Sequence, residues 1–286
     1  MISKADKYFK ETLMDIYFDG IEVKSPRTKW KDGTPAFYKS ILHKTYRYCI
    51  SKSEFHITSL RTTPFKGCFS EIEWIYMKQS NNLKDADKSI HSWWEDFSND
   101  GSIGKTYGYI VKKYGLMDAL LYGLEKNPES RRHILSLWDQ ETVSLSHKIL
   151  PPCCYQTHWN IYEKPLSKKK YVDLTLFQRS RDIIVTYSIN PLEYVMLGYM
   201  VCNHLTFVTG IEHELTNFIH HVNNEHYYDR HKDSLEEIMS KASLDELIFM
   251  KLECEPKNFY EHKFEDFKFF NTKNIIPLKN KLEIAI

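Results

Sequence analysis

An excess of charge of either sign is missing from this chain: 39 basic side chains stand against 38 acidic ones across 286 residues, a formal net charge of +1. So even a balance gives no field to coat a polyanion, which removes nucleic acid as the default partner. Paired cysteines are missing too. Cys49, Cys68, Cys153, Cys154, Cys202 and Cys254 form no CxxC and no framework spacing, the usage of a reducing compartment, so a cytoplasmic location is expected. The opening MISKADKYFKETLMDIYFDG lacks the apolar centre of a signal peptide and reads as an amphipathic helix. The longest apolar stretch, Tyr194 to Val208, is interrupted by Asn203 and His204 and reads as a buried helix rather than a membrane span. No Pro/Gly/Ser-rich linker, repeat or low-complexity tract divides the chain, which predicts a single domain over residues 1–286.

What is present is a core and many rings. Hydrophobic residues make up 42% and aromatic residues 14%, enough for a sizeable interior and suited to a concave site that stacks flat rings, although core packing uses aromatics equally well. Periodicity predicts helices over Asp6 to Phe18, Ser70 to Gln79 and Leu116 to Glu125, and strands over Ser40 to Tyr48 and Arg132 to Trp138. Lys168 to Lys170 reads as a hairpin turn. From Tyr171 the apolar Val172, Leu174 and Leu176 alternate with Asp173, Thr175 and Phe177, a half-buried strand. Asn190 is placed as N-cap of a following helix with Pro191 as its first residue, and HHVNNEHYYDRH lies in a strand-and-loop region. Mixed strand and helix of this kind predict an α/β (α+β) fold.

Several motifs fail on their own chemistry. Gly104-Lys105-Thr106 lacks the earlier glycine of a phosphate loop, where Asn99 stands, and His213-Glu214 has Asn217 where a zinc-binding helix needs its second histidine. His220, His221, His226 and His231 match no tetrahedral framework, so no metal is expected and loop histidines with ordinary hydrogen bonds are the simpler reading. Leu150-Pro151-Pro152-Cys153-Cys154 is stronger. Two prolines restrict the backbone before a cysteine and hold its thiol in a rigid turn, as a nucleophile requires. Arg131-Arg132 and Arg179-Ser180 present guanidinium groups beside hydroxyls, a pairing suited to phosphate, and an arginine near the thiol is expected to lower its pKa.

In order along the chain stand SPRTKWKDGTPA, SEIEWIY, GKTYG, NPESRRHILSLW, LPPCCYQTHW, QRSRD and HYYDRH. Together they resemble the thymidylate synthase superfamily over roughly Phe9 to Ile286, and RTKWKDGTPA is similar to a variant branch found in bacilli and their phages. The resemblance implies a large mixed β-sheet flanked by helices and a sheet-to-sheet homodimer. It implies Cys153 as the catalytic cysteine, Glu71 and Tyr107 as the acid/base and its neighbour, and Arg27, Arg179 and Ser180 as phosphate contacts. Arg131 and Arg132 match the pair that reaches the phosphate of the partner subunit. His226 and Tyr228 match residues on the ribose hydroxyl, and Asn190 the residue that reads the uracil edge, where a phage deoxycytidylate hydroxymethylase has aspartate. Asp182, Trp94, Phe97 and terminal Ile286 match the folate side. The implied substrates are dUMP and 5,10-methylenetetrahydrofolate.

Departures from that pattern gather near the implied folate end. Cys154 and His158 replace a histidine and a glutamine, Thr186 stands at a glycine within Val185-Thr186-Tyr187-Ser188-Ile189-Asn190, Asn223-Asn224 replaces glycine-aspartate, and Glu73 stands where synthases are apolar. A polar pocket that admits water to the one-carbon intermediate would account for them. The expectation is therefore a deoxyuridylate hydroxymethylase, with thymidylate synthase as the alternative. A non-catalytic nucleotide- or RNA-binding relative and a metalloenzyme using the His220 to His231 cluster are further alternatives.

Overall fold

Hydrophobic periodicity decides which segments become helix and which become strand, and the computed structural model of the protein, which describes residues 3–145 and 150–286, follows it closely. The helices are α1 (Lys4–Asp19), α2 (Phe65–Ile72), α3 (His91–Trp94), α4 (Gly108–Tyr114), α5 (Leu116–Lys126), α6 (Gln140–Leu145), α7 (Ile183–Thr186), α8 (Ile189–Thr209) and α9 (Lys232–Ser240). The strands are β1 (Ile21–Val23), β2 (Tyr38–Cys49), β3 (Ile134–Ser136), β4 (Cys154–Glu163), β5 (Lys170–Gln178), β6 (Arg181–Asp182), β7 (His213–Tyr228), β8 (Phe249–Leu252) and β9 (Phe267–Phe270).

Among the described residues the main sheet runs β1-β2-β7-β5-β4-β3, with β6 beside β7 beyond the end of β5. β5 and β6 lie parallel to β7 and the remaining neighbours are antiparallel, so the sheet is mixed, as expected. The parallel β5–β7 pair requires a crossover, which α8 supplies. Gly198 lets that helix close on the sheet: a Cβ there would lie 2.8 Å from Leu215 Cδ2. The alternation predicted for β5 sends Val172, Leu174 and Leu176 into the core under α8. The opposite face carries half-buried Phe177, stacked 5.0 Å from His221, with the His158 ring tilted against it at 4.8 Å.

Four expectations need correction. α2 begins at Phe65, five residues before Ser70, and passes at Glu73–Met77 into a π-helical turn. The strand over Arg132 to Trp138 shrinks to Ile134–Ser136, since it is an edge that pairs with β4 alone. Three of the four clustered histidines are not loop residues: His220, His221 and His226 all lie in the continuous strand β7. His220 and His221 therefore point to opposite faces and cannot share a metal. Asn190 is not an N-cap. Ser188 holds that position, and Asn190 and Pro191 fall within the first turn, where proline is tolerated because those N–H groups have no intrahelical acceptor.

Candidate active site

Cys153 sits one residue before β4, and its surroundings explain the two prolines. Arg179 closes the β5 end against it: the Arg179 N–H donates to the Cys153 carbonyl at 2.9 Å, Nε to the Pro152 carbonyl at 3.0 Å and Nη2 to the Pro151 carbonyl at 2.9 Å. The same Nη2 lies 3.7 Å from Cys153 Sγ. Prolines fix the backbone and leave their carbonyls free, so one guanidinium binds the turn and reaches the thiol together. From the other side the Tyr107 hydroxyl accepts the Cys153 N–H at 3.1 Å.

Tyr107 holds this place at a cost, with φ 46° and ψ −112°, a conformation few side chains adopt. Gly108 behind it is obligatory, because a Cβ there would stand 2.2 Å from the Ser80 carbonyl oxygen. The thiol itself departs from expectation. Burial pushes Cys153 above its ordinary value; Arg179 pulls it down as predicted, and Glu71 opposes Arg179, so desolvation wins.

Glu71 comes from the last turn of α2 and is buried. Burial lifts its carboxyl to about 7, while the Trp94 indole N–H works against the shift. That value is poised for proton transfer near neutrality. A carboxyl raised in this way binds its proton more tightly folded than unfolded, so its contribution to stability declines as pH rises from its ordinary 4.5 toward about 7. Glu71→Gln is expected to lower kcat about 10²- to 10⁴-fold. It is also expected to raise stability at pH 8 by on the order of 2 kcal/mol, a gain that fades toward pH 5, as urea unfolding at the two pH values will measure.

Asn190 enters from the start of α8, its Oδ1 accepting from Gln178 Nε2 at 3.1 Å and its Nδ2 donating to Glu193 Oε2 at 3.3 Å. His226 and Asp182 are register partners across β6 and β7. His226 is held neutral by burial, which lowers it to about 4, and its Nδ1 pairs with Asn224 Oδ1 at 2.9 Å. Asp182 caps α7 through the Ile184 and Val185 N–H groups at 3.0 and 3.3 Å and lies 3.4 Å from His231 Nδ1. Burial pushes the Asp182 carboxyl up, but His231 holds it below the ordinary range. Burial raises Tyr228 to about 12, with Thr28 beside its hydroxyl, so the Arg27 loop borders the site although Arg27 itself is exposed. Ile286 joins that loop through two backbone hydrogen bonds with Lys29, at 2.7 and 2.8 Å. Ser180 stands half-buried at the bend between β5 and β6.

Two expected arginines lie elsewhere. Arg131 and Arg132 are exposed and do not join Cys153 within one chain. Ile134 pairs with His158, which sets the arginines level with residues some seven positions along β4, roughly 20 Å away. Trp94 is buried among Trp74, Phe97 and Tyr107 and forms the wall behind Glu71, whereas Phe97 is half-buried.

The departures also resolve differently from the expected polar pocket. Thr186 turns its hydroxyl back onto the Asp182 carbonyl at 2.9 Å, and Tyr187 is buried, stacked 3.9 Å from Phe9. Glu73 pairs with Lys78 at 2.8 Å. Cys154 is buried behind Cys153, against Tyr194.

Gln178, Glu193, Arg61 and His231 are contributions that motif reading missed. Gln178 carried a signal, as a polar residue in phase with Val172, Leu174 and Leu176. So did Glu193, the one carboxylate of α8. Arg61, which binds the Ile184 and Val185 carbonyls, gave none, and His231, whose Nε2 meets the Glu283 carbonyl at 2.9 Å, stands in HYYDRH and reads there only as a metal candidate. Cys254, His262 and Asp266 have potential ligand atoms within 4.8 Å of one another, but Lys257 Nζ occupies Asp266 Oδ2 at 2.6 Å. Among the described residues no helix is long and apolar enough to cross a membrane.

The thymidylate synthase family model matches residues 7–284. The thymidylate synthase of Lactococcus lactis subsp. lactis (strain IL1403) is 34% identical over 285 residues, covering 99% of each chain. That of Streptococcus gordonii is 34% identical over 298 residues, covering 100% of each. Thermostable thymidylate synthase A from Bacillus subtilis has a similar structure, with a TM-score of 0.83 at 29% identity, covering 98% of this chain and 99% of that one. A family model matched over residues 7–284 and 34% identity along essentially the whole of both chains agree with the fold: the chain belongs to the thymidylate synthase family.

Proposed function

We propose that the protein is a thymidylate synthase, converting dUMP to dTMP with release of dihydrofolate. One observation carries the reading: the Cys153 thiol lies between the Arg179 guanidinium and the Tyr107-anchored backbone, in the electrostatic reach of Glu71. Deprotonated Cys153 adds to ring carbon 6, which makes carbon 5 nucleophilic. Glu71 moves protons at the ring carbonyl, and Asn190 reads the uracil edge. Arg27, Arg179 and Ser180 take the phosphate, and His226 and Tyr228 the ribose. Asp182, Trp94 and Phe97 serve the folate side, and Ile286 closes over it. 5,10-Methylenetetrahydrofolate is the co-substrate, and it supplies the one-carbon unit and the hydride.

Two findings favour the synthase over the hydroxymethylase expected from sequence. The similar proteins carry the name thymidylate synthase, and the side chains of Thr186 and Glu73, read as polar additions to the folate pocket, are spent on Asp182 and Lys78. The face carrying Phe177, His158 and His221 is the surface for a homodimer, in which Arg131 and Arg132 reach the partner's phosphate site. The test is product analysis with dUMP and methylenetetrahydrofolate. Formation of dTMP with stoichiometric dihydrofolate is expected; 5-hydroxymethyl-dUMP without folate oxidation would reverse the assignment.

A further inference from the structure

Glu193 lies one helical turn after Asn190 and is 3% exposed. Its Oε2 accepts the Asn190 amide N–H, while its Oε1 is buried with no partner. An unsatisfied buried oxygen costs stability and calls for an explanation. On the far side of Asn190, Gln178 is not free to turn: its Nε2 also donates to the Ser180 carbonyl at 3.0 Å, and its Oε1 accepts from His220 Nε2 at 2.9 Å. The Ser180 carbonyl, which can only accept, settles which end of Gln178 is nitrogen; His220 Nε2 then donates to its oxygen, and Gln178 in turn settles which end of Asn190 is oxygen. Rotating the Asn190 amide by half a turn would oppose two N–H donors at Gln178 and remove the donor that Glu193 now accepts.

Building on the dUMP reading above, we propose that Glu193 is a positioning residue for base selection. With Gln178, it holds the Asn190 amide so that its remaining lone pair and remaining N–H match the 3-NH, 4-keto edge of uracil and oppose the reversed edge of cytosine. Burial, reinforced by Glu71, pushes the Glu193 carboxyl well above the ordinary carboxylate range.

Calorimetric titration of the full chain with dUMP and dCMP tests this in wild type, Glu193→Leu and Glu193→Gln. Glu193→Leu removes the acceptor and is expected to narrow the dUMP-to-dCMP preference about tenfold. Glu193→Gln keeps a carbonyl acceptor and is expected to restore it, with melting temperatures close to wild type. If Glu193→Leu does not fold, Glu193→Ala carries the same expectation. A folded variant lacking the acceptor that keeps the wild-type ratio, or Glu193→Gln behaving like Glu193→Leu, overturns the proposal. A wild type that binds neither nucleotide overturns the dUMP reading itself and this role with it, an outcome distinct from an unchanged ratio.

Discussion

Cys153→Ser is expected to lose turnover by about 10⁴-fold or more while still binding dUMP. The hydroxyl is close in size, so the turn held by Arg179 and Tyr107 survives: four of its contacts run through the Pro151, Pro152 and Cys153 backbone, and the 3.7 Å contact of Arg179 with sulfur is the one that changes. What disappears is a nucleophile that can ionise. Burial keeps even the thiol above its ordinary value, and a serine hydroxyl in the same place is far harder to deprotonate. Single-turnover product analysis, with mass spectrometry for a covalent thioether between wild-type protein and nucleotide, checks both halves. A variant that turns over at the wild-type rate would remove Cys153 from the chemistry.

The largest stability loss is expected at Arg181. The register sets Arg181 opposite Glu225, and both side chains are fully enclosed, with Nε donating to the carboxylate. The guanidinium lies 4.7 Å from the Tyr46 ring and 5.2 Å from that of Tyr187, and reaches the Tyr187 carbonyl at 3.4 Å. Arg181→Met leaves an uncompensated charge in that interior and should cost about 3–5 kcal/mol, a large share of the roughly 5–15 kcal/mol that stabilises a typical protein. Replacing Glu225 with Leu in the same chain should recover most of it, because two apolar groups leave no charge stranded. Urea unfolding of wild type, single and double variants gives the comparison. A single variant as stable as wild type would mean that the pair carries no such weight.

The departures from pattern show how far a linear reading reaches. Glu73 and Thr186 looked like polar additions to a pocket because they are adjacent in sequence to residues that belong there. In the fold, a π-helical turn leaves Glu73 to Lys78, and a short helix capped by Asp182 folds the Thr186 hydroxyl back on itself. Asn190-Pro191 looked like a cap because the preceding α7 and its αR exit could not be seen. The thiol departs from expectation for a related reason: a neighbouring arginine is visible as a motif, whereas the burial that outweighs it is not.

By itself the order of residues determined the alternation that makes β5, the amphipathic α1, the proline-held cysteine turn and the family, because each depends on neighbours within a few positions or on motifs in sequence order. Only the tertiary structure decided that Gln178 and Glu193 clasp Asn190, that Arg181 and Glu225 bury each other, and that Ile286 lies on Lys29. Apart from Asn190–Glu193, one turn apart in α8, those contacts join residues from different strands, helices and termini, and their energies come from burial and fixed hydrogen-bond direction, which exist once the sheet has set its register.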